Sequence, residues 1–101
     1  MAKKKYKINR VEITPRAQQR FDEMHQNIEE HYSPRVADKF VSDFNNKVTQ
    51  LKHNPEIYKY SDEKKDTRRA LFSKYGAFLY KIISTTTLRI TTFFDTRMKP
   101  K

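Results

Sequence analysis

Residues 69–84 read RALFSKYGAFLYKIIS, and this stretch decides the fold. Residues 69–74 predict a β-strand, and Tyr75 with Gly76, the only glycine of the chain, predicts a tight hairpin turn. Residues 77–84 are apolar at both parities, which is typical of a central strand covered on both faces. The stretch therefore predicts a β-hairpin in the middle of a sheet.

Two further strands are expected outside this hairpin. Residues 87–94 alternate in polarity after a Ser/Thr turn and predict the last strand. Residues 6–14 predict the first strand, with Val11 and Ile13 on one face. Apolar residues nearer the start fall on the other parity, so a bulge or a late strand start is expected. Residues 58–67 are polar and charged, and we expect a loop there.

The region between the first strand and this loop has the period of helices. Thr14 and Ser33 each precede a proline, which is the signature of an N-cap followed by the first helical residue. We therefore expect helices over residues 15–31 and 34–54, joined by a very short link into an antiparallel hairpin. The predicted apolar stripes consist of Ala17, Phe21, Met24 and Ile28 in the first helix and Ala37, Phe40, Val41, Phe44, Val48 and Leu51 in the second.

Together these elements predict the fold class α+β in the order β-α-α-β-β-β. A helical hairpin packs on one face of a mainly antiparallel, four-stranded sheet. The chain has 101 residues, and we find no repeat or linker, so residues 1–101 are interpreted as a single domain.

Charge is the strongest global clue to function. The 22 Lys and Arg residues exceed the 12 Asp and Glu residues, which gives a formal net charge of +10. Such an excess attracts polyanions, so we expect nucleic acid or an acidic protein as partner. The chain has no cysteine, no signal peptide pattern and no membrane-spanning run, which predicts a soluble cytoplasmic protein without a membrane partner.

Several segments, taken in order and at their spacing, resemble the RelE/ParE superfamily of toxins from bacterial type II toxin–antitoxin modules. The resemblance extends over nearly the whole chain. It is carried by residues 15–21 (PRAQQRF), 51–55 (LKHNP), 67–71 (TRRAL), 75–82 (YGAFLYKI) and 94–97 (FDTR).

This resemblance implies one of two mechanisms. RelE-like members are ribonucleases that cut messenger RNA on the ribosome, whereas ParE-like members poison DNA gyrase and have no recognised nuclease site. Members of both kinds are neutralised by a cognate antitoxin protein. The implied partners are therefore an antitoxin and either DNA gyrase or the ribosome with its message, with no cofactor, no metal and no small-molecule substrate.

The catalytic inventory favours the ParE-like mechanism. Metal-free RNA cleavage needs proton-transfer groups and cations that stabilise the phosphorane. Family nucleases often have a Tyr or His near the C-terminus, but none follows Tyr80 here. Arg69, Arg97 and Glu63 are weak catalytic candidates, so a RelE-like nuclease stays an alternative and enzyme activity stays open. The three histidines all fall in the helical half and are interpreted as surface or helix-end residues.

Basic side chains in the second half are the candidates for binding the target or nucleic acid. Arg68 and Arg69 alternate in facing, so at most one of them points into a cleft. Tyr58 and Tyr60 either stack on bases or pack the loop onto the helices. The candidate binding residues are Arg68, Arg69, Lys74, Lys81, Arg89, Arg97 and Lys99.

Overall fold

The computed structural model describes residues 6–96, which form two helices packed on one mixed sheet. No helix in this part of the chain is both long and apolar enough to cross a membrane. In chain order the elements are β1 (Arg10–Ile13), α1 (Pro15–His31), α2 (Pro34–His53), β2 (Tyr60–Asp62), β3 (Thr67–Ser73), β4 (Gly76–Ile82) and β5 (Thr87–Asp95).

Both predicted helix starts are confirmed by their capping contacts. The Thr14 hydroxyl accepts a hydrogen bond from the backbone N–H of Ala17 at 3.1 Å. The Ser33 hydroxyl accepts one from the N–H of Val36 at the same distance. A proline follows each cap because its missing N–H needs no partner in the first turn. Helix α2 ends at His53, one residue before the predicted end.

The strands lie in the order β1-β5-β4-β3-β2, with β1 parallel to β5 and the other pairs antiparallel. The prediction of a mainly antiparallel sheet is confirmed, but the sheet has five strands and not four. The fifth strand is β2, which lies in the predicted loop and has no apolar alternation that could reveal it. It is held to β3 by pairing of Tyr60 with Arg68 and of Asp62 with Thr67.

The first strand is shorter than predicted. Only Arg10–Ile13 pairs with β5, and the preceding backbone bonds to the loop before β5 instead. The N–H groups of Lys7 and Asn9 donate to the carbonyls of Thr85 and Thr86 at 2.8 and 3.0 Å. The expected late strand start is therefore confirmed.

Phenylalanine rings fill the space between the helices and the sheet. The Phe44 ring of α2 lies at the centre, with its centroid 5.1 Å from that of Phe21 and 5.6 Å from those of Phe72 and Phe78. Its distance to the ring of Phe93 is 5.4 Å. Each such contact adds to the free energy of burying these large apolar surfaces.

Gly76 is the first residue of β4, directly after the hairpin turn. Its φ angle is not positive, so the turn does not require a glycine there. A Cβ atom at this position would lie 2.9 Å from Cζ of Phe72 and 3.0 Å from the side chains of Met24 and Phe40. Glycine is needed because the core approaches the backbone closely.

The two faces of β4 differ, and the expectation that both are covered is wrong. Phe78 and Tyr80 point towards the helices and are fully buried. Leu79 and Lys81 point the other way and are only half-buried. No element within residues 6–96 lies over that side, which we call the open face.

Candidate binding face

The open face collects basic side chains from adjacent strands. Because side chains alternate along a strand, the register of the sheet decides which residues share this face. Arg69 of β3 pairs with Leu79 of β4, and Lys81 of β4 pairs with Arg89 of β5. The other open-face residues in these registers are Arg10, Glu12, Asp62, Thr67, Leu71, Ala77, Thr87, Thr92 and Phe94.

Two sets of paired residues lie on this face. Asp62 of β2 pairs with Thr67 of β3, and Arg89 of β5 pairs with both Lys81 of β4 and Glu12 of β1. Arg89 Nε donates to Glu12 Oε1 at 3.0 Å, so this arginine has a counter-charge. Lys81 forms no ion pair with any residue that the structure describes.

Arg69 is a second cationic residue on the open face. It pairs with Leu79, which precedes Lys81 by two residues in β4. Its guanidinium lies 4.9 Å from the centroid of the Phe94 ring on β5, and its side chain is exposed. Leu71, on the same face of β3, is 53% exposed. A cation held over an aromatic ring beside an exposed leucine is the composition of a protein-binding hot spot.

Arg68 points away from the open face, as its alternation with Arg69 predicted. It is 8% exposed, and its guanidinium donates to the carbonyl of Tyr58 at 2.6 Å. The same group lies 4.2 Å from the centroid of the Tyr60 ring and 3.7 Å from a carboxylate oxygen of Glu56. Arg68 therefore holds the loop before β2 against β3. Tyr58 contacts helix α2, because its hydroxyl accepts from Nζ of Lys47, whereas the Tyr60 ring lies beside Arg68 of β3 and is 43% exposed.

The remaining site candidates lie elsewhere. Lys74 is in the turn between β3 and β4, with Nζ 5.3 Å from the centroid of the Tyr75 ring. Glu63 is exposed in the turn after β2. Arg97 and Lys99 lie outside the described residues. The structure thus brings Arg69, Lys81 and Arg89 together and leaves Lys74 and Glu63 apart from them.

The open face has no tyrosine or histidine among its described strand residues. His25, His31 and His53 are all on the helices. Tyr80 is fully buried on the helix side, and its hydroxyl donates to the carbonyl of Pro55 at 2.7 Å. Burial raises the pKa of Tyr80 far above its ordinary value, so this phenol stays protonated and occupied.

Sequence reasoning assigned no role to Glu12 and Arg10. The carboxylate of Glu12 accepts from Arg89 at one oxygen and lies 3.1 Å from Nε of Arg10 at the other. The alternation of β1 places both residues on one face, but it gives no sign of the partner strand. That information comes from the parallel pairing of β1 with β5, which joins the two ends of the described chain.

Comparison with known proteins places this fold in a defined class. It is similar to a solved structure described as the chromosomal ParDE TA system from P. aeruginosa, with a TM-score of 0.71 and 14% sequence identity. The match covers 88% of this chain and 96% of that one. At this identity the likeness defines the fold alone.

The sequence carries the assignment further. The family model described as the ParE toxin of the type II toxin–antitoxin system parDE matches residues 11–100. The chain therefore belongs to the ParE toxin family, and the resemblance to the RelE/ParE superfamily is confirmed. No curated protein matches the sequence at a significant level.

Proposed function

We propose that this toxin acts by binding DNA gyrase without cleaving RNA, and that a cognate antitoxin neutralises it. The observation that carries the proposal is the open face, where cations occur and the described strand residues include no tyrosine or histidine. Such a surface attracts a negatively charged macromolecule but offers no usual group for transferring protons to a leaving oxygen. Family membership supports the same mechanism, because ParE-like members are gyrase poisons.

The contact with gyrase is proposed to centre on Arg69. Its guanidinium is exposed, stacks on Phe94 and has Leu71 beside it, so it combines charge with apolar surface. Arginine and aromatic side chains dominate binding free energy when a partner excludes water from them. Lys81 and Arg89 extend the positive charge towards β1 and steer the encounter.

A supercoiling assay with purified gyrase tests the proposal. The parent protein is expected to inhibit supercoiling, and Arg69→Ala should raise the concentration needed by roughly tenfold to a hundredfold, in line with the loss of a hot-spot residue. Arg35→Ala is the matched control, because Arg35 is an exposed arginine on the opposite, helical side. Equal inhibition by both variants would move the contact away from the open face.

A ribosome-dependent nuclease remains the alternative, since the same cations can stabilise a phosphorane. Primer extension on a message in a purified translation system distinguishes the two mechanisms. We expect no new 5′ ends with the parent protein. Discrete cleavage sites inside the reading frame would replace the gyrase proposal, and Arg69→Ala should then lower the cleavage rate about a hundredfold.

A further inference from the structure

A groove of about 480 Å³ on the open face is lined by lysines and hydroxyl residues. It lies between β2 with its following turn and the middle of β5. Lys65 and Lys81 line it together with four hydroxyl residues, Ser61, Thr67, Thr91 and Thr92. The hydroxyls of Thr67 and Thr91 donate to the backbone carbonyls of Lys65 and Leu79. This combination of ammonium groups and hydroxyls differs from the arginine-aromatic surface around Arg69.

The groove carries uncompensated positive charge. Lys81 is directly opposite Arg89 on the same face, and like charges in this position repel each other. Arg89 shares the carboxylate of Glu12 with Arg10, whereas neither Lys81 nor Lys65 forms an ion pair with a described residue. The single carboxylate in the lining is Asp62, and one of its oxygens accepts the backbone N–H of Lys65 at 3.3 Å.

An irregularity in β5 brings two threonines, Thr91 and Thr92, to this groove. Leu79 of β4 pairs with Thr92, whereas the next residue pairs with Ile90, so Thr91 is an extra residue in β5. Bulges of this kind redirect side chains, and they are frequent beside functional sites. Because of the bulge, two consecutive threonines, Thr91 and Thr92, line the groove. In a regular strand only one of them would face it.

We propose that this groove binds a phosphate group, with the ammonium of Lys81 as the principal cation. A carboxylate offers two oxygens in a plane and pairs best with the fork of an arginine. A phosphate group offers more oxygens in a tetrahedral arrangement, which suits a lysine point charge with hydroxyl donors such as those of Ser61 and Thr92 beside it. The phosphate belongs either to a free nucleotide or to the backbone of a nucleic-acid strand.

This inference goes beyond gyrase binding and is tested on the isolated chain of 101 residues. Nuclear magnetic resonance titrations at constant ionic strength would use inorganic phosphate, a nucleoside triphosphate and a short single-stranded oligonucleotide, with acetate as the control anion. We expect the phosphate compounds to change the chemical shifts of residues around Lys65, Lys81 and Thr92. Acetate at equal charge concentration should leave these signals unchanged.

Substitution of the principal cation gives the quantitative test. Lys81→Gln should weaken phosphate binding roughly tenfold to a hundredfold, as for loss of a charged hydrogen bond. Lys81→Arg should retain most of the affinity. Lys52→Gln on α2 removes the same charge on the helical side and should bind like the parent. Thermal melting of each variant shows that it is folded.

The outcomes separate the two sources of phosphate. Tighter binding of the oligonucleotide, with an affinity that falls steeply with salt, assigns the groove to a nucleic-acid backbone. Tighter binding of the nucleoside triphosphate assigns it to a free nucleotide. Absence of binding by all three phosphate compounds, or equal weakening by Lys81→Gln and Lys52→Gln, would overturn the proposal.

Discussion

Arg68 and Arg69 are neighbours in the sequence and have opposite roles in the structure. Both are basic residues at the start of β3, and composition alone makes them equivalent. The period of the strand separates them, because Arg68 enters the helix side and Arg69 the open face. The alternation of the strand predicted that the two arginines lie on opposite faces, but not which face carries the helices, since that depends on the register with β4.

The two arginines are expected to differ in their effect on stability. Arg68→Ala removes the donor to the part-buried carbonyl of Tyr58 and the cation beside the Tyr60 ring. It should lower the free energy of unfolding by about 2–4 kcal/mol, from a charged hydrogen bond and its desolvated acceptor. Urea unfolding measures this change. Arg69→Ala is the control, with an expected change within about 0.5 kcal/mol; equal losses would contradict the assignment.

Helices and strands could be predicted from the sequence where interactions within a few residues determine their conformation. Both N-caps and the start of each helix were predictable, because a hydroxyl followed by proline acts within one turn. Strand β2 was not, because its three residues owe their conformation to pairing with β3. The shape of the groove around Lys81 was equally hidden, since it depends on a bulge that the alternation of residues 87–94 does not reveal.

The packing interface between the helical hairpin and the sheet leads to a prediction about stability. Phe44 of α2 contacts rings from α1, β3, β4 and β5, so its removal opens a cavity where four elements meet. Phe44→Ala should cost about 3–5 kcal/mol of stability. Thermal or urea unfolding tests this value. Val41, half-buried on the same helix, is the control, and Val41→Ala should cost clearly less.

For the whole molecule, the net charge of +10 sets how partners approach. The electrostatic field of this charge accelerates association with an acidic partner, and dissolved salt screens it. We expect the proposed antitoxin to bring carboxylates to the open face and also to cover apolar groups such as Leu71, which is 53% exposed. Speed of encounter and strength of the complex therefore depend on different side chains.

Association of the toxin with its antitoxin should consequently depend on ionic strength. Between low and high salt, the association rate constant is expected to fall on the order of tenfold or more, while dissociation changes little. Stopped-flow mixing of the purified pair measures both. Leu71→Ala should instead increase the dissociation rate at unchanged association rate. An association rate that is indifferent to salt would contradict electrostatic steering.

The pairing of β1 with β5 has a consequence for the order of folding. Glu12 and Arg89 are 77 positions apart, whereas the contacts of the helical hairpin and of the β3-β4-β5 meander are local. Closing a long loop costs chain entropy before any contact repays it. During synthesis β1 leaves the ribosome before β5 and remains without its partner strand until β5 has emerged. This edge of the sheet is therefore completed only after the helices and the other strands have been made.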